Sequence, residues 1–170
     1  MTIAELLLQD YDTEIANTRR TLERVPEGKN DWVPHEKSMK LGYLAMHCAT
    51  MALFGVYILE DDGMDMMAST RPRVPLVFTT RDACLAALDE NAAKCRAAIA
   101  GASDEHFLKP WPFSVGPNVI SNFSRYVTLR LWCVNHLVHH TAQLGVYLRL
   151  NGIAVPGLYG PSADEQFPTT

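Results

Sequence analysis

The sequence has no surplus of positive charge. Its 15 lysines and arginines are outnumbered by 19 aspartates and glutamates, giving a net charge of −4. The basic footprint that a phosphate backbone demands is therefore missing, and no nucleic-acid partner is expected. None of the four cysteines, Cys48, Cys84, Cys95 and Cys133, forms a C-x-x-C pair. In a chain of 170 residues that spread points to reduced thiols in a cytoplasm rather than a disulfide framework. The opening MTIAELLLQDYD carries Glu5 and Asp10 and no basic segment, so a secretory signal is not expected. There are no internal repeats, no low-complexity segment and no strand pattern of useful length. H-E-x-x-H, G-x-S-x-G, G-x-G-x-x-G and P-loop strings are all absent, and no Glu is followed three positions on by His, which removes the ferritin-like di-iron pattern.

What is present is an ordinary globular composition, 48% hydrophobic and 20% charged, enough for one domain over residues 1–170 with a real core. Two runs carry no formal charge: Leu41 to Leu59 and Leu131 to Leu148. Runs of that length are membrane-span candidates. However, the first holds His47 and Thr50, and the second holds Asn135, His136, His139, His140, Thr141 and Gln143. That polarity is costly in lipid, so two helices buried inside a helical protein are expected instead, with no membrane partner.

Apolar residues three and four apart predict four long helices. The first covers Thr2–Val25 and ends at Pro26 and Gly28. The second runs from an N-cap at Ser38 to about Glu60, with Leu44, His47, Met51, Phe54 and Ile58 facing inward. A long crossing loop, Met64–Phe78, leads to the third, Arg81 to about Ala100, with Thr79 and Asp82 as its capping signature and Gly101 as its stop. A short turn after Ser103 and a proline-rich loop containing Trp111 and Phe113 precede the fourth, which runs from Ser121 to Asn151 with Gly152 as its stop. The tail, Ile153–Thr170, with Pro156, Pro161 and Pro168, should be irregular. The fold class this predicts is all-α, a four-helix bundle with long crossing loops.

The chemistry sits in HLVHHTAQ, His136 to Gln143. At about 100° per residue, His136 and His140 lie about 40° apart and Gln143 about 20° from His136, all on the inner face. Two histidines at i and i+4 have the spacing to share a metal ion, although buried histidines are also ordinary hydrogen-bonded core residues. His47 lies on the inner stripe of the other uncharged helix. Three imidazoles converging in an apolar core have few partners besides one another and a cation. The expected metal ligands are therefore His47, His136 and His140. His139 lies about 60° from His136 and about 100° from His140, off that face; His35 and His106 read as surface residues. Cys133 could be a ligand or nucleophile, or simply core packing. Three ligands leave a coordination position open for water or a thiol.

These residues resemble the DinB/YfiT-like group of helical-bundle metalloenzymes. The stretches that carry the resemblance are DWVPHEKSMKLGYLAMH, Asp31 to His47, and NHLVHHTAQLGVYLRLNGIAVPGLYGPSADE, Asn135 to Glu165, the end of which is similar to a damage-inducible subgroup. The resemblance implies one divalent ion on His47, His136 and His140, usually nickel or zinc. It also implies reactions that use a small cellular thiol, in S-transferases and an isomerase, and a homodimer. One departure stands out: many members carry Arg-Gly between the last His and the Gln, where this chain has Thr141 and Ala142. The resulting expectation is a metal-dependent transfer of a small thiol to an organic electrophile, with catalytic residues and the physiological substrate unassigned. A metal-dependent hydrolase and a non-catalytic metal-binding bundle are the alternatives. Trp32, Trp111 and Phe113 could line the substrate or anchor their loops; Arg125 and Arg149 could hold a carboxylate or make surface ion pairs.

Overall fold

The computed structural model describes residues 1–72 and 74–166. The first helix, α1 (Ile3–Leu22), begins in a capping box: the Thr2 hydroxyl accepts from the Glu5 N–H at 3.1 Å and the Glu5 carboxylate accepts from the Thr2 N–H at 2.7 Å. It buries Leu7, Tyr11, Thr18 and Leu22 and ends at Leu22, short of the expected Val25.

The second helix begins later than Ser38 suggested. α2 (Leu41–Thr50) follows Lys40, which caps nothing, while the Ser38 N–H closes a turn onto the His35 carbonyl. The chain stays helical through Met51 into α3 (Ala52–Glu60), but the Phe54 N–H reaches back three residues to the Met51 carbonyl. The Thr50 hydroxyl donates to the Met46 carbonyl at 2.9 Å, a back-bond of the kind that bends helices. Leu41–Glu60 is the one run among the described residues long and apolar enough to cross a membrane, and 72% of its window is buried inside the fold.

α4 (Arg81–Gly101) is capped by Thr80, not Thr79, and Gly101 is its last residue rather than the glycine beyond it. Its buried stripe, Cys84, Leu88, Ala92, Cys95 and Ile99, packs against α1, α2 and α3. The short turn expected after Ser103 is α5 (Asp104–Leu108), with the Ser103 hydroxyl as its cap.

The all-α expectation fails at the next segment. Instead of a loop and the start of a helix, the chain forms β2 (Pro110–Val115) and β3 (Asn118–Ser124), a hairpin joined to β1 (Met64–Asp65) in a three-stranded sheet of order β1-β2-β3. β1 runs parallel to β2, and β2 runs antiparallel to β3 with a bulge between Phe113 and Ser114. The two prolines are compatible with the ladder because they alternate with Trp111 and Phe113. Those two residues pair with Phe123 and Ser121, and the Arg125 N–H continues the same phase to the Lys109 carbonyl. The alternation also points Trp111 and Phe113 inward, both buried.

Two groups fasten the sheet to the end of α3. The Trp111 indole N–H donates to the Asp61 carbonyl at 2.9 Å. The Arg125 guanidinium, 3% exposed, donates to the carbonyls of Ile58 and Asp61 at 3.3 and 3.0 Å and to the Asp62 carboxylate at 3.0 Å. Arg125 thus satisfies backbone acceptors that the helix end leaves open.

The last helical run starts at Ser124, whose hydroxyl caps α6 (Arg125–Leu129). It passes through a π-helical segment (Arg130–Asn135) into α7 (His136–Leu150). α7 stops at Gly152, whose φ of 70° favours glycine. The tail is irregular up to Gln166, as expected, and Pro168 lies outside the described residues. It is held to the helices by ion pairs from Arg20 and Arg24 to Glu165 and from Arg149 to Asp164, so Arg149 is engaged in a surface pair.

The architecture is helix-rich with a small sheet, and Arg125 is the most heavily used bond donor between the two parts. Replacing Arg125 with Met should cost about 1–2 kcal/mol, since it strands the Ile58 carbonyl and leaves the Asp61 carbonyl only the Trp111 indole N–H, while the exposed Asp62 end of the bridge contributes little. Urea denaturation would check this; a loss below about 0.5 kcal/mol would refute the role.

Candidate metal centre

Three imidazoles meet where α2 packs against α7. His47 comes from the last turn of α2, His136 is the first residue of α7, directly after the π-helical segment, and His140 follows one turn later. Their ligand nitrogens all lie within 4.8 Å of one another. The His136 and His140 Nε2 atoms are 2.8 Å apart, and the His47 ring centroid is 4.5 Å from that of His140 and 5.5 Å from that of His136. His140 is buried; the other two are half-buried.

The environment keeps all three neutral. Burial, then the neighbouring His140 and His136, push His47 down to about 4. Burial also lowers His136, with the nearby His139 adding to it and a hydrogen bond to the Trp132 backbone opposing it. His140 is lowered by burial and by the flanking histidines, against a bond to Gln143. The neutral form is the one that ligates metal.

The donor set fits a cation. His140 Nδ1 lies 2.8 Å from Gln143 Oε1. An amide oxygen only accepts, so Nδ1 carries the proton and the Nε2 lone pair faces His136 and His47. That is the outer-sphere arrangement that fixes the tautomer of a ligating histidine. Without an ion, only one proton can lie between the two Nε2 atoms 2.8 Å apart; a cation would engage both lone pairs and that of His47 as well.

The remaining expected residues separate clearly. His139 is exposed and outside the group, although its ring centroid is 4.9 Å from that of His140. His35 is exposed in its loop. His106 is half-buried rather than a surface residue, with Nε2 2.8 Å from the Leu59 carbonyl oxygen. Cys133 is fully buried, its thiol directed at the Met51 carbonyl and packed beside Cys95 against Gly55, and is core. Trp32 stands edge-on to Tyr147 at 5.4 Å, and Trp111 is an anchor. Thr141 is buried and shares a 2.9 Å hydrogen bond with Thr18 of α1, so it faces the core.

Two neighbours of the histidines were missed from sequence. Tyr43 stacks on His47 with centroids 6.2 Å apart, and Trp132 stands edge-on to His136 at 6.4 Å. Each lies four residues before its histidine, and that one-turn spacing was the available signal.

The depressed histidines make a pH prediction. In the unfolded chain an imidazole titrates near 6.5, while His47 holds off protonation until about 4. Between these values the unfolded state binds more protons, so stability falls as the pH drops through that window and is unaffected by His47 above it. An NMR titration of the metal-free protein should show His47 titrating near 4. A His47 midpoint at or above the unfolded value would contradict the geometry.

Comparison with known proteins agrees with the geometry. No curated protein sequence matches the chain. Among solved structures, a DinB-like protein from Bacillus subtilis superposes with a TM-score of 0.69 at 18% identity, covering 95% of this chain and 99% of that one. A DinB-like protein from Bacillus cereus ATCC 10987 gives 0.64 at 20% identity, over 89% and 95% of the two chains. A conserved protein from Enterococcus faecalis gives 0.62 at 15% identity, over 88% and 96%. At these identities the likeness is one of fold. The sequence profile of the DinB superfamily matches residues 10–144, a span that includes His47, His136 and His140, and the chain belongs to that superfamily.

Proposed function

We propose that His47, His136 and His140 hold one divalent metal ion, zinc or nickel, and that the site serves the transfer of a small cellular thiol to an organic electrophile. The observation that carries this reading is the convergence of three neutral imidazoles, within 4.8 Å, from two helical runs that contribute no charge of their own. When bound, the ion would supply positive charge that favours a thiolate over a thiol near neutral pH.

The chain's own residues prepare that chemistry. With no carboxylate in the ligand set, nothing in it offsets the charge of a bound cation, and an anionic sulfur is the complementary occupant of the open position. Gln143 holds the His140 proton on Nδ1 and keeps Nε2 free. Burial keeps His47 neutral well below pH 7. Two aromatic rings adjoin the histidines, Tyr43 stacked on His47 and Trp132 edge-on to His136.

A panel of small thiols against a panel of electrophiles, run with wild-type protein, chelated protein and His140→Ala, tests the activity. Thiol conjugation should fall at least about 100-fold on loss of either the metal or the histidine. Turnover that survives both losses would dismiss the reading. Cleavage of esters or amides with the same metal dependence, and no thiol transfer, would replace it with hydrolysis. Gln143→Leu should weaken zinc binding by about 10- to 100-fold, measured by competition with a chromophoric chelator; unchanged affinity would remove Gln143 from the account.

A further inference from the structure

The last helical run carries one residue more than its buried face needs. On a uniform helix, at about 100° per residue, the residues α6 buries (Arg125, Thr128 and Leu129) centre about 110° away from those buried along α7 from Leu137 to Leu148. That offset is close to the turn of a single residue. It is taken up in the π-helical segment Arg130–Asn135, whose i→i+5 bonds enclose one residue more than an α-helical turn. With one residue fewer, a regular α-helix would bring the two buried faces into line to within about 10°. The core therefore gains nothing from the extra residue.

The site does gain from it. In an α-helix the Trp132 carbonyl would accept the backbone N–H of His136, four residues on. Here that N–H donates to the Cys133 carbonyl instead. The His136 ring is hydrogen-bonded to the Trp132 backbone, and because the bond favours the protonated ring, the carbonyl is the acceptor. His136 Nε2 is the atom 2.8 Å from His140 Nε2, so the nitrogen turned to Trp132 is Nδ1. His140 holds its own Nδ1 proton against Gln143 Oε1. With both protons held on the outer nitrogens, the two Nε2 lone pairs face each other. Two lone pairs at that distance repel, and a shared cation turns the repulsion into ligation.

We propose that the extra residue of the π-helical segment serves the metal site rather than the core: it turns the Trp132 carbonyl away from the His136 N–H so that the carbonyl accepts the His136 Nδ1 proton and leaves Nε2 free to ligate. The Trp132 carbonyl is then a positioning group, doing for His136 what Gln143 does for His140. This rests on the reading of His47, His136 and His140 as metal ligands and not on thiol transfer.

Deletion of Leu131, 44% exposed within the segment, tests the inference on the full-length protein. The deletion variant should fold, with a metal-free urea midpoint no lower than that of wild type. It should nonetheless bind zinc about 10- to 100-fold more weakly, measured by competition with a chromophoric chelator. A π-turn needed only by the fold gives the reverse, a lower midpoint with unchanged zinc affinity. A variant that fails to fold, or one that binds zinc as tightly as wild type, overturns the inference. A second measurement needs no deletion. In zinc-loaded wild type, NMR of the histidine rings should find a proton on His136 Nδ1 that is protected from exchange with water and coupled to the Trp132 carbonyl carbon. A His136 ring proton that exchanges as fast as that of the exposed His139 also overturns it. If wild type itself takes up no zinc, the metal reading fails and this inference with it; if wild type and the deletion variant bind zinc equally, only this inference fails.

Discussion

Three polar rings packed between two helical runs of no formal charge impose the constraint around which the molecule is arranged. Leu41–Leu59 and Leu131–Leu148 supply much of the apolar core, with Leu44, Ile58, Leu137 and Leu144 fully buried. Placing His47, His136 and His140 together on that surface costs desolvation, which appears as the depressed titration of all three. The cost is bearable because each ring has something to face: His140 faces Gln143 and His136, and His47 faces both other rings. The same desolvation that keeps the rings neutral leaves their lone pairs available to a cation.

The rest of the structure holds that cluster in place. The π-helical segment Arg130–Asn135 adds a residue per turn just before His136 and so resets the direction in which α7 presents its side chains. Gly55 allows the close approach behind it: a Cβ there would come within 2.5 Å of the Cys95 sulfur and 3.0 Å of the Cys133 sulfur. The hairpin closes one side by inserting Trp111 and Phe113, and Arg125 and Trp111 tie it to the end of α3. Thr18 and Thr141 join α1 to α7 on the opposite side of the helix from the histidine cluster.

Much of this was legible in the sequence because helical periodicity survives tertiary packing. The i, i+4 pair His136 and His140, the matching position of His47, and Gln143 seven residues beyond His136 on the same face come from spacing alone, and the structure brings these residues together. Helix ends were less legible. Ser38 and Thr79 are sound cap residues by type, yet Ser38 closes a turn and Thr80 caps α4, since capping depends on which backbone N–H groups are left free. The hairpin was illegible for a definite reason. Pro110, Pro112, Gly116 and Pro117 are loop signals, and only pairing with β3 shows that the prolines fall on the alternate positions that leave Trp111 and Phe113 to the ladder. The π-helical segment has no composition of its own, and so one uniform helix is what periodicity predicts from Ser121 through to Asn151.

Membership of the DinB superfamily and the three-histidine group agree with each other, although they come from different observations, one from the chain's overall pattern and the other from side-chain geometry. The claim on which everything chemical depends is that these imidazoles are ligands rather than a hydrogen-bonded core. The direct measurement is metal content by mass spectrometry, after exposure to zinc or nickel and extensive dialysis, of untagged wild-type protein and of His47→Ala, His136→Ala, His140→Ala and His139→Ala. The account predicts about one ion per chain in wild type and His139→Ala, and none above background in the other three. A metal-free wild type, or an ion retained when His136 or His140 is removed, would contradict it.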